Sequence, residues 1–166
     1  MSYNVLEELA KEYYEYIKEY FVRTNVRFNK RKKKGGYKGE IDILAYVPNE
    51  RKLIHLECSM GGESNGNGFK KAKKKFPDNL DYKNLYPDNT LDFEKVEKLF
   101  IFKQTKELND IVMPEGVKSV NLGAFIREVY NSLNTDIMNN IIPEAYPLLR
   151  AMQLTKWANI RRNDKK

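Results

Sequence analysis

Two segments carry carboxylates into otherwise apolar runs: Gly39-Glu40-Ile41-Asp42-Ile43-Leu44-Ala45-Tyr46 and Leu53-Ile54-His55-Leu56-Glu57-Cys58-Ser59. A buried charge without a partner loses its hydration, so carboxylates placed this way need something to pair with. In extended chain the side chains alternate between two faces. Ile41, Ile43, Ala45 and Val47 then share one face of the first strand, and Glu40 and Asp42 share the other. In the second strand Ile54, Leu56 and Cys58 oppose His55, Glu57 and Ser59. Pro48-Asn49-Glu50-Arg51 between them has the composition of a hairpin turn. A hairpin brings Asp42 and Glu57 to comparable heights, where they could share a cation. Mg²⁺ takes oxygen ligands of this kind, and Mn²⁺ is the expected substitute, so the pair points toward metal-assisted hydrolysis. The competing reading is two edge strands with one wet face. It accounts for scattered polar residues but favours Thr, Lys and Ser over three carboxylates.

Basic residues flank these strands in sequence. From Arg23 to Lys38 stand Arg23, Arg27, Lys30, Arg31, Lys32, Lys33, Lys34 and Lys38, with no acidic residue among them. Lys70, Lys71, Lys73, Lys74 and Lys75 follow the second strand, and Lys156, Arg161, Arg162, Lys165 and Lys166 close the chain. Positive charge gathered around an acidic pocket attracts a polyanion. The run containing Arg27, Lys30, Arg31, Lys32, Lys33, Lys34 and Lys38 is expected to contact phosphate backbone, with Lys73 and Lys74 beside it. The C-terminal cluster reads as a solvated tail.

The elements that must position these residues fit one domain. The chain has 166 residues, 41% hydrophobic and 32% charged, with a net charge of +7, enough for a single developed core. No apolar run approaches the roughly 18 residues of a membrane span, and no secretory leader is expected. One cysteine excludes an internal disulfide and fits a reducing, cytoplasmic setting. Cys58 reads as a small core residue. One Cys and one His do not supply the ligands of a structural zinc site.

Val5, Leu6, Leu9, Tyr13, Ile17, Tyr20 and Phe21 recur at helical spacing from Asn4 to about Val22. Asn4 is the expected N-cap, with Glu7 three residues on as in a capping box. A short strand near Asn25–Phe28, a basic loop over 30–39, the acidic hairpin, a glycine-containing polar loop over 60–68 and a basic helix from Phe69 to about Phe76 follow. Residues 77–92 read as irregular. The continuous apolar run in 96–103 predicts a buried strand; a short helix over 105–113, a strand over 117–122 and a helix over 123–133 come next. Residues 136–160 read as a helical extension interrupted near Pro143 and Pro147. The result is one α/β domain over 1–166, with a core over about 4–133, an extension over about 136–160 and a basic tail.

With these residues in place the chain resembles the PD-(D/E)xK nuclease superfamily, in spacing most like small archaeal Holliday-junction-resolvase-like nucleases. The matching residues are Leu6-Glu7-Glu8-Leu9-Ala10, Gly39-Glu40-Ile41-Asp42 and Ile54-His55-Leu56-Glu57-Cys58-Ser59. The resemblance implies a restriction-endonuclease-like mixed sheet with an N-terminal helix, an acidic β-hairpin and flanking helices. It implies Asp42 and Glu57 as metal ligands, with the Cys58 carbonyl completing the protein's share. It also implies an acidic residue of the first helix near the site, Glu8 by position, with Glu12 in reserve. The implied reaction is phosphodiester hydrolysis by activated water with Mg²⁺.

One position departs from the pattern. The superfamily normally has lysine two residues after the second carboxylate, and here that residue is Ser59. Serine can hydrogen-bond a water but supplies no positive charge. A lysine from elsewhere could reach in, with Lys70, Lys71 and Lys74 best placed and Lys38 next. Ser59 and His55 could instead position water with two metals. Or the site is catalytically impaired, or Ser59 is an engineered replacement. His55, the sole histidine, invites a general-base role, although a polar residue near the sheet's end is the simpler reading. The leading function is a Mg²⁺-dependent endonuclease acting on DNA, structure-specific or weakly sequence-specific, since no DNA-reading module is evident. The alternative is a nuclease-fold subunit that binds nucleic acid without cleaving it. Ile141, Ile142, Leu148, Leu149, Met152, Leu154 and Trp157 could form a homodimer interface or an interface within a larger complex, or cap the monomer's own core.

Overall fold

The computed structural model describes residues 4–30, 37–63, 65–85, 91–104 and 113–163. Helix α1 spans Val5–Glu12, and the Asn4 side chain accepts the Leu6 amide at 3.1 Å as its N-cap. The expected helix to Val22 is shorter: a π-helical turn, Tyr13–Ile17, follows α1, and Glu19 in the left-handed region (φ 57°) ends the run. Strand β1, Phe21–Lys30, begins at once and is longer than the short strand expected near Asn25. Strand β2 is Tyr37–Val47 and β3 is Lys52–Glu63, joined by a 3₁₀ turn at Pro48–Glu50 with Arg51 left-handed (φ 46°). Of the polar loop expected over 60–68, strand β3 takes 60–63 and helix α2, Asn65–Lys75, takes 65–68. Strands β4, Lys95–Gln104, and β5, Val117–Asn121, precede helices α3, Leu122–Ser132, and α4, Pro147–Asn163. The helix expected over 105–113 lies almost wholly outside the described residues. Of the helical extension over 136–160, only the part from Pro147 is helical.

The fold is mixed α/β around one five-stranded sheet in the order β1-β2-β3-β4-β5. The first three strands form an antiparallel meander. Helix α2 then carries the chain across so that β4 pairs parallel with β3, and β5 pairs parallel with β4. The acidic hairpin is therefore internal, and the edge strands are β1 and β5.

Both faces of the hairpin are covered, so the wet face considered above is not found. On one side Ile43, Ala45, Val47, Ile54, Leu56 and Cys58 pack with Leu6, Leu9, Ala10 and Tyr13, and with Phe125, Val129 and Leu149. On the other, Leu44 and Leu53 pack with Val26, Phe28, Leu80 and Tyr82, while Phe100 and Phe102 pack with Ala72 and Phe76 of α2. A strand covered on both faces loses simple polar alternation, and any charge left there needs a partner.

Two details fix this frame. Gly39 lies opposite Phe28 across β1 and β2, and a Cβ built there would meet the buried Phe28 ring at 2.2 Å. The fully buried Glu12 carboxylate accepts the backbone amides of Leu148 (3.3 Å) and Leu149 (2.8 Å), which open α4. Such amides have no partner within the helix, so Glu12 ties α4 to α1. Ile142 and Leu149 accordingly enter the monomer's own core, while Ile141 and Leu154 stay exposed.

Candidate active site

The β2–β3 ladder runs from Val47↔Lys52 to Ile43↔Leu56 and stops there. The next opposed positions are Asp42 and Glu57, at the comparable heights the hairpin implies. On the other side of Asp42 the β1–β2 pairing passes over Asn25, which adopts a left-handed conformation (φ 54°) that Asn tolerates. The sheet thus opens around Asp42. The Cys58 amide, released from the ladder, donates to Asp42 Oδ2 at 2.8 Å. Asp42 is 8% exposed and Glu57 fully buried.

The partner of this pair is Lys75, the last residue of α2. Its ammonium donates to Asp42 Oδ1 at 2.8 Å, Asp42 Oδ2 at 3.0 Å and Glu57 Oε2 at 2.5 Å. Ala72 and Phe76 are buried against the sheet, and residues three and four apart share a helix face. Lys75 therefore points at the sheet, while Lys70, Lys71, Lys73 and Lys74 are exposed. Lys75 is not among the lysines that sequence reasoning placed best. The signal was present in Ala72 and Phe76, the apolar members of an otherwise basic run. Its side chain is 35% exposed, so solvent reaches the pair past Lys75 while Glu57 forms the floor.

Behind Glu57 the contacts continue inward. Glu57 Oε1 lies 2.9 Å from His55 Nε2, and His55 Nδ1 lies 2.7 Å from the Tyr82 hydroxyl. His55 is fully buried, with its ring 4.5 Å from Phe76 and 5.7 Å from Tyr82 between centroids. It is not a residue of the sheet's polar end, and it is too enclosed to meet a substrate water.

Burial, and next the charge of Asp42, pushes Glu57 up to about 9; Lys75 opposes them. The two carboxylates outweigh desolvation at Lys75 and hold its ammonium above the usual lysine range. Burial, then the charges of Lys98 and Lys75, pushes His55 down to about 3, so its imidazole is neutral at ordinary pH. Burial, and next Asp42, drives the Cys58 thiol far up, which removes it as a thiolate ligand and leaves its backbone as its contribution.

The other expected site residues distribute as follows. Glu8 pairs with Lys11 at 3.0 Å. The α1 carboxylate coupled to the site is Glu7, capped by the Asn4 amide; burial, and next Asp42, raises its pKa. Glu12 serves α4 instead. Ser59 is half-buried two residues beyond Glu57, level with Phe102. Glu40 is exposed and paired with Arg27 at 3.0 Å, away from Asp42's contacts. Lys73 and Lys74 lie on the open face of α2. Arg31, Lys32, Lys33 and Lys34, with the side chains of Lys30 and Lys38, lie outside the described residues.

Among the described residues no three His, Cys, Asp or Glu side chains form a metal cage. A Mg²⁺ site does not require one, because Mg²⁺ is usually held by one or two carboxylates with waters and substrate phosphate. Asp42 and Glu57 both aim an oxygen at the point where Lys75 Nζ sits, and that donor set fits such an ion. Also among the described residues, no helix is long and apolar enough to cross a membrane. Comparisons with protein-family models, with curated proteins and with solved structures found no match.

Proposed function

We propose that the protein is a Mg²⁺-dependent endonuclease that hydrolyses phosphodiester bonds of DNA. The observation that carries this reading is the Lys75 ammonium lying against both Asp42 and Glu57. It supplies from α2 the positive charge that Ser59 lacks, and so answers the one departure from the superfamily pattern. The mixed sheet with its N-terminal helix and internal acidic hairpin also agrees with that resemblance.

In this reading Asp42 and Glu57 would hold the ion, and the Cys58 carbonyl would complete the protein's share. The bound ion would lower the pKa of its water, neutralise the phosphate and stabilise the leaving oxygen. Lys75, freed from its share of the carboxylates, stays within one side chain's reach of them. There it orients the attacking water and offsets charge that develops on phosphate. Water would add to phosphorus as the P–O bond to the sugar oxygen of the leaving strand breaks; one hydrogen of the water stays with the new phosphate oxygen and its other proton passes through solvent to the leaving oxygen. The exposed face of α2 with Lys73 and Lys74 offers the backbone contact.

The same geometry favours a second reading. An ammonium with three hydrogen bonds to two carboxylates is a closed ion cluster, as expected of a nuclease-fold subunit that binds nucleic acid without cutting. Incubation with plasmid, linear duplex, branched and single-stranded DNA, in Mn²⁺ and in EDTA, separates the two. Cutting in Mn²⁺ that stops in EDTA and in Asp42→Ala supports the enzyme. Salt-sensitive binding with no cutting in any metal supports the subunit.

A further inference from the structure

The two oxygens of Glu57 have different partners. Oε2 faces the shared point with Asp42 and Lys75, whereas Oε1 is taken by His55. His55 is itself held on its other nitrogen by Tyr82, which comes from the chain that follows α2 and covers this face of the sheet. A neutral imidazole has one N–H and one acceptor nitrogen. With Glu57 ionised, as it must be to hold an ion, a Tyr82 hydroxyl donating to Nδ1 puts the N–H on Nε2, where it donates to Glu57. With Phe76 against its ring, the imidazole can neither turn nor reach water.

We propose that Tyr82 and His55 are positioning residues for cation binding at this site. Tyr82 fixes His55, and His55 fixes Oε1, so that Glu57 presents Oε2 alone to the ion. The inference rests on the metal-site reading above and adds two residues to it. Neither touches the reacting atoms. Their effect is geometric: a glutamate has three side-chain torsions, and a ligand oxygen free to rotate away from Asp42 binds more weakly. Outer partners of this kind typically contribute about 10- to 100-fold in metal affinity.

The test is titration of the full-length protein with Mn²⁺ alone, by calorimetry, beside a thermal melt of each variant. His55→Leu keeps the apolar contacts and removes both hydrogen bonds. His55→Gln keeps a donor for Glu57, and Tyr82→Phe removes only the hydroxyl. The expected Mn²⁺ Kd rises at least about 10-fold in His55→Leu and by a smaller factor in Tyr82→Phe, and is largely recovered in His55→Gln. A purely structural role would lower the melting temperature of His55→Leu and leave its Kd at the wild-type value, which overturns the inference. Should His55→Leu fail to fold, an unchanged Kd in folded Tyr82→Phe overturns it equally. Wild-type binding that Glu57→Gln abolishes, while both His55→Leu and Tyr82→Phe retain it, refutes the relay and spares the site. No Mn²⁺ binding by wild type refutes both.

Discussion

Replacing Lys75 with methionine should produce two opposite effects that no simple loss of packing would give. Methionine keeps the apolar stem against α2's neighbours and removes the ammonium and its hydrogen bonds to Asp42 and Glu57. Breaking a fully buried ion pair costs about 3–5 kcal/mol. Lys75 is 35% exposed, so screening reduces that. Glu57, already pushed up to about 9, also relieves the repulsion by keeping its proton. A net loss of about 2 kcal/mol in metal-free buffer follows. For a domain of this size that is a fall of about 4–8 °C in melting temperature. The cation affinity should move the other way. An ion binding wild type must displace the ammonium from both carboxylates; in Lys75→Met it meets an unoccupied pair. If even about 1.4 kcal/mol of the ammonium's attraction is recovered, Mn²⁺ binds the variant about tenfold tighter. Urea titrations in EDTA and in saturating Mn²⁺ read both quantities, because a ligand of the native state adds stability as its affinity rises. Lys75→Met that matches wild type in both titrations would refute the claim that Lys75 is the counter-charge of this pair.

Two buried groups with opposite signs make the largest contributions to the pH dependence of stability between pH 3 and 9. His55, with its folded pKa at about 3 against an ordinary 6.5, makes stability fall as pH drops through that window. Glu57, at about 9 against 4.5, makes it fall as pH rises through its own window. Urea midpoints should therefore rise from pH 3 to 4.5, stay level to about 6.5 and decline toward 9, and Glu57→Gln should remove the alkaline decline. Gly39→Val should destabilise by about 1–3 kcal/mol in a thermal melt, because the Phe28 ring occupies the space its side chain needs. Glu12→Ala should cost about 1–3 kcal/mol by leaving buried amides unpaired. Amide exchange should then quicken first at Leu148 and Leu149.

The carboxylate pair was legible because period-two alternation and a Pro-Asn turn specify which residues of a hairpin face each other. The buried run of β4 and the amphipathic α3 were legible for similar local reasons. What was not legible came from distant parts of the chain. The covering of the His55–Glu57 face depends on Phe76, Leu80 and Tyr82, which nothing in the hairpin announces. Glu12 reads as one more charge on α1 until α4 supplies its amides. The start of β1 was obscured because Tyr20 and Phe21 continue the helical spacing of α1, while Glu19 breaks it with a backbone conformation. Lys75 was hidden among identical neighbours, and only the helix face defined by Ala72 and Phe76 distinguishes it.

The most direct test of Lys75's assigned role is a transplant. DNA cleavage in Mn²⁺ should be measured for wild type, Lys75→Met, and Lys75→Met combined with Ser59→Lys. Loss of a positioned charge next to the reacting phosphate should lower the rate of Lys75→Met by about 100-fold or more. A lysine at Ser59, two residues beyond Glu57, should return a substantial part of it. Cleavage by Lys75→Met at the wild-type rate would contradict the assignment, as would a wild-type protein that binds DNA and Mn²⁺ but never cuts.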